Sequence, residues 1–333
     1  MKSIHNSNLE ILNFSSKILS SMTVEPSLVD YRNNYFISND LSGLFYFYGS
    51  FQERDQILRW IIERPKGNCK FVEYDGDKEI IVIIPTIDHN SKMAQSCSTK
   101  TFHGLHIIFV ESGRNNFYFN YAHNINEGVK LAMRYKPKWI IISNDDVEMI
   151  DEPIYVKNQL KNIESDKIDA VFPKEDGITV SNIHILQKIS TFGAFLRKVS
   201  TKPTEIIKQS LSLEIYFNLD KKMLKRTEKI WLLTFLFKKL RYINIRNFVN
   251  FGAFGIFSSN FIMNARKSLL DDNFINGRED FELSLFLLGK RTLRIDYKID
   301  AKYGTSLGRA IYRDIRDIVN DLYFEEVYLK NYT

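Results

Sequence analysis

Short runs of β-branched and aromatic residues recur through the first half of the chain, and each ends in small or polar residues. The runs are apolar at every position, which is typical of strands covered by helices on both faces. We therefore predict strands over Glu79–Ile84, Leu105–Val110, Trp139–Ile142 and Ala170–Pro173. Between the second and the third, the segment Asn124–Tyr135 has its apolar residues at helical spacing.

Strands that alternate with helices predict an α/β fold with a mostly parallel, Rossmann-like central sheet flanked by helices. In such sheets, ligands bind at the carboxyl ends of the strands. Functional residues are therefore expected at these ends. Polar residues stand there in this chain: Thr86 after the first strand, Glu111 after the second, and Asn144, Asp145 and Asp146 after the third.

The segments that flank the α/β region differ from it and suggest domain boundaries. The aromatic run Leu44–Tyr48 predicts a strand and Gln52–Arg64 an amphipathic helix, so the N-terminal part is predicted to be a small α+β region. The predicted parts are an N-terminal accessory region (1–78), a main domain (79–310) with a helical basic insertion at about 183–250, and a C-terminal helical tail (311–333).

Two adjacent carboxylates, Asp145 and Asp146, follow an apolar strand, with Asn144 before them. Adjacent carboxylates repel each other unless a positive group lies beside them. A divalent cation that bridges to a diphosphate supplies such a group, because hard cations prefer oxygen ligands. The alternative is a turn or a helix start, where Asn and Asp are favoured. The motif alone leaves both interpretations open.

A second acidic group, Glu279 and Asp280 with Glu282 close by, precedes the apolar run Leu283–Leu288. A carboxylate near a sugar hydroxyl can serve as a general base, with its pKa set by burial and by its acidic neighbour. Acidic residues in the first turn of a helix also favour the helix dipole without any catalytic role. Both interpretations remain open for this group on its own.

The order of these motifs resembles the GT-A fold glycosyltransferases, most closely those of family 2. The resemblance covers about residues 79–310, which makes them a GT-A-like domain. The matching positions are Pro85 and Thr86 for a strand that ends in Pro-Thr, Glu111 for the acidic residue after the second strand, Asn124–Gly128 for an Asn-x-Gly motif in the connecting helix, and Asn144–Asp146 for the DxD motif.

The resemblance implies a donor site, a metal and a catalytic base. Transfer would run from a nucleotide-diphosphate sugar to a hydroxyl of a saccharide, glycolipid or glycoprotein. The Glu-Asp pair of inverting members falls on Glu279 and Asp280, with Asp280 as the base. The implied nucleotide-sugar-binding residues are Pro85, Thr86, Glu111, Asn124, Asn144 and Asp145, and the implied ligands of a divalent cation, Mg²⁺ or Mn²⁺, are Asp146 and Asp145.

Two departures from the family pattern bear on metal binding and catalysis. Members often carry a His after the last core strand, and the matching segment Lys302–Arg309 has none. Asn144 also stands at the first position of the DxD motif. The alternative function is therefore a catalytically inactive GT-A-like protein that binds a nucleotide or a membrane. A nucleotidyltransferase is less well supported, because no Gly-rich basic loop follows the first strand.

Composition and charge narrow the class of protein further. The 333 residues are 44% hydrophobic with two cysteines, which excludes a disordered chain or a disulfide framework and favours a cytoplasmic compartment. Residues 221–246 hold nine Lys and Arg against one Glu, a net +8 compared with +6 for the whole chain. Their apolar run Ile230–Phe237 favours peripheral contact with a membrane surface, with a helix packed on the core as the alternative. No nucleic-acid-binding motif accompanies this charge, so we predict no nucleic-acid partner.

Overall fold

The computed structural model describes residues 47–112, 118–149, 151–176, 254–265, 268–287, 289–301 and 310–328. The predicted insertion at about 183–250, with its basic residues 221–246, and the segment Lys302–Arg309 lie outside the described residues. The described residues divide into two compact units. The first unit comprises residues 47–63 and 310–328, and the second comprises the described residues between 64 and 301.

The second unit is built on a sheet of eight strands. All four strands predicted from the sequence are present, as the second, third, fourth and sixth along the chain. The strands are β1 (Lys70–Tyr74), β2 (Asp77–Thr86), β3 (Leu105–Glu111), β4 (Trp139–Ser143), β5 (Val147–Met149), β6 (Ala170–Asp176), β7 (Phe254–Ser258) and β8 (Thr292–Ala301). Their order across the sheet is β1-β3-β2-β4-β7-β6-β8-β5.

Helices connect and cover these strands, so the predicted α/β class is confirmed. No helix in the described part of the chain is long and apolar enough to cross a membrane. The helices are α1 (Arg54–Glu63), α2 (Lys92–Ser96), α3 (Tyr121–Ala132), α4 (Pro153–Lys161), α5 (Ser259–Ala265), α6 (Glu279–Phe286) and α7 (Ala310–Val327), of which α1 and α7 belong to the first unit.

The sheet is mixed rather than mostly parallel, which corrects the prediction. Among the described strands, β2 pairs in parallel with β3 and β4, and β6 with β8, whereas four pairings are antiparallel. Strand β7 shows why strand direction could not be predicted. All five of its residues are buried, and yet it runs antiparallel to β4. Burial on both faces makes a strand apolar throughout whichever way it runs, so the pattern does not determine its direction.

Each face of the sheet packs into its own hydrophobic cluster. On one face, Ala94 of α2 belongs to the same cluster as Val82 of β2. On the other face, Ile125 of α3 clusters with Ile83 of β2. Helix α3 lies so close to the sheet at Gly128 that a Cβ atom there would stand 2.5 Å from Ile83 Cγ2. The absence of a side chain at Gly128 therefore permits the depth at which α3 packs on the sheet.

The path of the chain changes direction across the sheet at β2. From β2 the chain passes through α2 to β3, and from β3 it passes through α3 to β4, on the other side of β2. The two strands that follow β2 along this part of the chain, β3 and β4, therefore lie on opposite sides of it. In doubly wound sheets, ligands bind at the carboxyl ends of the strands where the strand order changes direction in this way.

The first unit contains part of the predicted N-terminal region. Phe47 and Tyr48 are helical, so the strand predicted over Leu44–Tyr48 is wrong at the two residues that the structure describes. The Phe47 ring packs edge-to-face on Trp60 of α1, with 4.8 Å between ring centroids. This aromatic residue therefore packs against a helix rather than within a sheet. The helix predicted over Gln52–Arg64 is confirmed as α1.

The predicted boundary at residue 78 lies within strand β2. Residues 70–78 form β1 and the start of β2, and β1 pairs antiparallel with β3 at the edge of the sheet. In the first unit, α7 covers most of the predicted C-terminal tail. It is linked to α1 by an ion pair of 3.5 Å between Arg54 and Glu326.

Candidate active site

One side-chain hydrogen bond joins the carboxyl ends of β2 and β4. Thr86, the last residue of β2, donates from Oγ1 to Oδ2 of Asp145 at 2.8 Å. Thr86 is only 4% exposed, so water competes little for this bond. The Asp145 backbone is held as well, because the Cys97 thiol donates to its carbonyl oxygen over 3.3 Å. The turn after β4 is thereby fixed against the end of β2.

The carboxylates of this turn are in an unfavourable environment for negative charge. Burial raises the pKa of both Asp145 and Asp146, and the Asp145 charge raises the pKa of Asp146 further. Hydrogen bonds from Thr86 to Asp145 and from Asn144 to Asp146 act in the opposite direction. Within the described residues, the buried oxygens Oδ1 of Asp146 and Oδ1 of Asn144 have no hydrogen-bond partner. These oxygens suit a divalent cation, which would compensate the buried charge.

The second acidic motif forms the start of α6. Glu279 is buried and Asp280 is half-buried. The Phe281 N–H donates to Asp280 Oδ1 at 2.8 Å, and the Ser284 hydroxyl donates to the Asp280 carbonyl oxygen at 2.6 Å. Glu279 and Asp280 therefore begin a helix, as one of the two interpretations predicts. The bond from the Phe281 N–H also orients the Asp280 carboxylate, as a general base requires.

The turn before α6 contains two residues in the left-handed conformation, Asn276 with φ 49° and Arg278 with φ 73°. Residues other than glycine adopt this conformation where surrounding contacts hold them there. The Asn276 side chain provides such contacts. Its Oδ1 accepts the Tyr121 N–H at 2.7 Å, and its Nδ2 donates to the Phe119 carbonyl oxygen at 3.4 Å. The turn is thus attached to the first residue of α3.

Two asparagines bind the loop that leads to α6 against α3. Asn120 caps α3, and its Nδ2 donates to the carbonyl oxygens of Asp272 at 2.8 Å and Phe274 at 2.9 Å. Asn126 pairs twice with Leu270, donating to its carbonyl oxygen at 2.8 Å and accepting its N–H at 3.0 Å. Because these bonds satisfy buried backbone groups of the loop, they determine where α6 begins relative to α3.

The charges of both acidic motifs act on Tyr121. Burial raises the pKa of Tyr121 well above its usual value, and the charges of Glu279, Asp280, Asp146 and Asp145 raise it further, in that order. Its hydroxyl oxygen is buried and has no hydrogen-bond partner among the described residues. The Asn276 bond to the Tyr121 N–H brings the turn before Glu279 to the start of α3, so the charges of both motifs act on the same tyrosine.

Glu111, at the end of β3, belongs to a neighbouring charged group. His89 Nδ1 lies 2.8 Å from Glu111 Oε2, and Lys70 Nζ lies 3.5 Å from the same oxygen. Asp88, His89 and Glu111 each offer one ligand atom within 4.8 Å of the others, so this group is a second place that could hold a cation. The Lys70 ammonium already contributes positive charge there, which distinguishes this group from the Asp145–Asp146 pair.

Pro85 and Asn124, which the resemblance assigns to nucleotide-sugar binding, are both buried. Pro85 lies in β2 opposite Val110 of β3. Asn124 is 1% exposed on α3, and its Oδ1 accepts a hydrogen bond from the Cys69 thiol at 3.2 Å. The structure thus places Asn124 in contact with Cys69, and its role in nucleotide binding stays a prediction.

Three residues that build the site were not predicted from the sequence, namely Asn120, Tyr121 and Asn276, and Asn126 was included only within the motif Asn124–Gly128, with no role of its own. The helix predicted over Asn124–Tyr135 begins three residues earlier, at Tyr121, because Asn120 is its cap. An Asn directly before apolar residues at helical spacing indicates a helix cap and can be recognised in the sequence. The bonds of Asn126 and Asn276 had no such signal, since their partners are distant in the sequence.

A comparison with models of known protein families gave no match, and comparisons with curated proteins and with solved structures gave none either.

Proposed function

We propose that the protein is a glycosyltransferase that moves a sugar from a nucleotide-diphosphate sugar to an acceptor hydroxyl, with inversion at the anomeric carbon. The observation that carries the proposal is that both acidic motifs are held at the same part of the fold. Thr86 donates to Asp145 at 2.8 Å, and Asn276, three residues before Glu279, accepts the Tyr121 N–H at 2.7 Å, with the charges of both motifs acting on Tyr121. The first pair suits a cation with a diphosphate and the second suits proton transfer, and this reaction needs both. The resemblance to family 2 GT-A glycosyltransferases supports the same assignment.

The donor is proposed to bind across the carboxyl ends of β2, β3 and β4. Thr86 and Glu111 would face the base and the ribose. Asp146, with Asp145 and Asn144, would hold Mg²⁺ or Mn²⁺. A bound cation of this kind neutralises charge that develops on the leaving diphosphate. The Thr86 hydrogen bond keeps the Asp145 carboxylate at this edge of the sheet.

Asp280 is the proposed general base. Its carboxylate takes the proton of the acceptor hydroxyl while the hydroxyl oxygen forms a bond to the anomeric carbon. The bond between that carbon and the diphosphate oxygen breaks, and its electron pair leaves with the nucleoside diphosphate. Attack from the face opposite the leaving group gives inversion. The bond from the Phe281 N–H orients the Asp280 carboxylate, which lowers the entropic cost of proton transfer.

A second candidate is a GT-A-like protein that binds a nucleotide or a membrane without catalysis. Asn144 favours it, because an amide at this position brings less charge to a cation than a carboxylate does. Membrane contact would involve residues 221–246, which lie outside the described residues, so it stays a prediction. The two candidates differ in turnover: the glycosyltransferase transfers the sugar of a bound donor, whereas the second candidate does not.

Isothermal titration calorimetry with a panel of UDP- and GDP-hexoses, with and without Mn²⁺, tests donor binding. We expect at least one donor to bind, and its affinity to fall by roughly tenfold or more without Mn²⁺, a loss of about 1.4 kcal/mol. Asp146→Asn should bind the donor equally weakly in both conditions. Asp296→Asn removes an exposed carboxylate of β8 and should bind as the wild type does. If no nucleotide-sugar binds in either condition, the enzyme proposal is wrong.

A further inference from the structure

Among the described residues, the Tyr121 hydroxyl makes no hydrogen bond that would stabilise the fold. Tyr121 is the first residue of α3, and its backbone N–H is occupied by Asn276 Oδ1 at 2.7 Å. Its ring is partly buried and packs against the hydrophobic cluster on the α3 face of the sheet. Its hydroxyl oxygen is buried, but no partner for it lies among the described residues. Buried polar atoms in folded proteins nearly always have a partner, so this one calls for an explanation.

Acidic side chains dominate the charges that act on the hydroxyl. Burial raises the pKa of Tyr121, and the carboxylates of Glu279, Asp280, Asp146 and Asp145 raise it further. The phenol is therefore neutral and can donate at physiological pH. Asp146 Oδ1 and Asn144 Oδ1 are also buried without a partner in the described part of the chain. The site thus offers one unused donor beside several acceptors.

The hydroxyl donor of Tyr121 and the nearby acceptors determine which ligand group fits beside Tyr121. A phosphate oxygen also accepts a hydrogen bond, but its negative charge is repelled by the carboxylates of Glu279 and Asp280, which no proposed cation neutralises. A sugar hydroxyl carries no charge. It accepts from the phenol through its oxygen and donates its own proton to a neighbouring carboxylate. A hydroxyl is therefore the group that uses both the donor and the acceptors of the site.

We propose that the Tyr121 hydroxyl donates a hydrogen bond to a hydroxyl of the transferred sugar and so contributes to the choice of sugar. The inference rests on the proposed function. The transferred sugar has to lie between the diphosphate side of the site, at Asp145 and Asp146, and the base, Asp280. Tyr121 begins α3, and its N–H binds Asn276, three residues before Glu279, so we place its side chain beside that sugar rather than beside the nucleotide.

Calorimetry on Tyr121→Phe tests this assignment with two probes, UDP and the UDP- or GDP-hexose that binds the wild type best, both with Mn²⁺. We expect the affinity for the hexose donor to fall about tenfold, the loss of one hydrogen bond, and that for UDP to change less than about twofold. Tyr135→Phe is the matched control. Its hydroxyl donates to Glu73 at 2.8 Å at the edge of the sheet near β1, and both affinities should stay unchanged.

A set of donors that each lack one sugar hydroxyl completes the test on the wild-type protein. One of these deoxy donors should bind about tenfold more weakly than its parent, and Tyr121→Phe should bind that donor no more weakly than the wild type does. The inference is overturned if Tyr121→Phe binds the parent donor normally, or if UDP and the hexose donor lose affinity equally. A wild-type protein that binds no nucleotide-sugar overturns the proposed function itself, which is a different result.

Discussion

Thr86 donates a 2.8 Å hydrogen bond to Asp145, and this single contact joins the ends of two parallel strands at the place where the chain changes direction across the sheet. The bond is partly buried, and it opposes the rise in pKa that burial gives Asp145. It therefore helps to keep a carboxylate ionised at the edge where we propose that the diphosphate and its cation bind.

Thr86→Val should weaken Mn²⁺-dependent binding of the hexose donor by roughly tenfold or more. A hydrogen bond to a charged group contributes about 1.5–3 kcal/mol, and without it Asp145 is less well oriented and less readily ionised. Thr86→Ser keeps the hydroxyl and should bind within about threefold of the wild type, a difference below 1 kcal/mol. Equal affinities for the Val and Ser variants, measured by calorimetry, would show that the hydroxyl has no part in donor binding.

Asn126→Ala should lower the free energy of unfolding by about 1–3 kcal/mol. It leaves the buried Leu270 N–H without its partner, and the Leu270 carbonyl oxygen keeps only the 3.0 Å bond from the Ser268 hydroxyl. Urea unfolding at pH 7 measures the loss. Lys130→Ala removes an exposed ion pair from the same helix and should cost at most about 1 kcal/mol. A loss for Asn126→Ala no larger than that of Lys130→Ala would contradict the role given to this contact.

The ion pair between Asp169 and Arg291 should make stability depend on pH. Arg291 donates to Asp169 from Nη2 at 2.7 Å, from Nε at 3.2 Å and from its backbone N–H at 2.9 Å. Burial acts to raise the pKa of Asp169, but these hydrogen bonds and the charge of Arg291 outweigh it and hold the pKa below its usual value. The folded state therefore binds fewer protons than the unfolded state at acidic pH.

The stabilisation by Asp169 is complete above its unfolded pKa of about 3.9 and is lost as the pH falls through the lower folded value. Asp169→Asn should accordingly cost about 1–3 kcal/mol at pH 7. The difference from the wild type should shrink below about pH 4. Urea unfolding at a series of pH values from 7 to 3 measures this. A difference that is the same at every pH would mean that the charge of Asp169 does not stabilise the fold.

Four strands of the sheet could be predicted from the sequence because buried strands are apolar at every position. Their directions could not be predicted. The five residues of β7 are as completely buried as those of β4, although the two strands run antiparallel. The edge strand β1 was also missed, since its residues are exposed or half-buried and no apolar run marks it.

The acidic residues of the candidate site could be named from the sequence because each motif follows a strand or begins a helix. What brings them together could not. Asn126 binds Leu270, and Asn276 binds Tyr121, through side chains whose partners depend on the tertiary fold. Tyr121 itself lies just before the predicted helix, since the cap at Asn120 extends that helix toward its N-terminus.

A transfer assay on the wild type and on Asp280→Asn tests whether the protein transfers sugar with Asp280 as the base. The assay follows release of UDP or GDP from the donor that binds best, in the presence of saccharide acceptors and Mn²⁺. Asp280→Asn should bind the donor within about threefold of the wild type, below 1 kcal/mol, because the base does not hold the nucleotide. Its turnover should fall by about 100-fold or more, the usual contribution of general base catalysis. Near-normal turnover by Asp280→Asn would contradict the assignment of the base and the account of the site that is built on it.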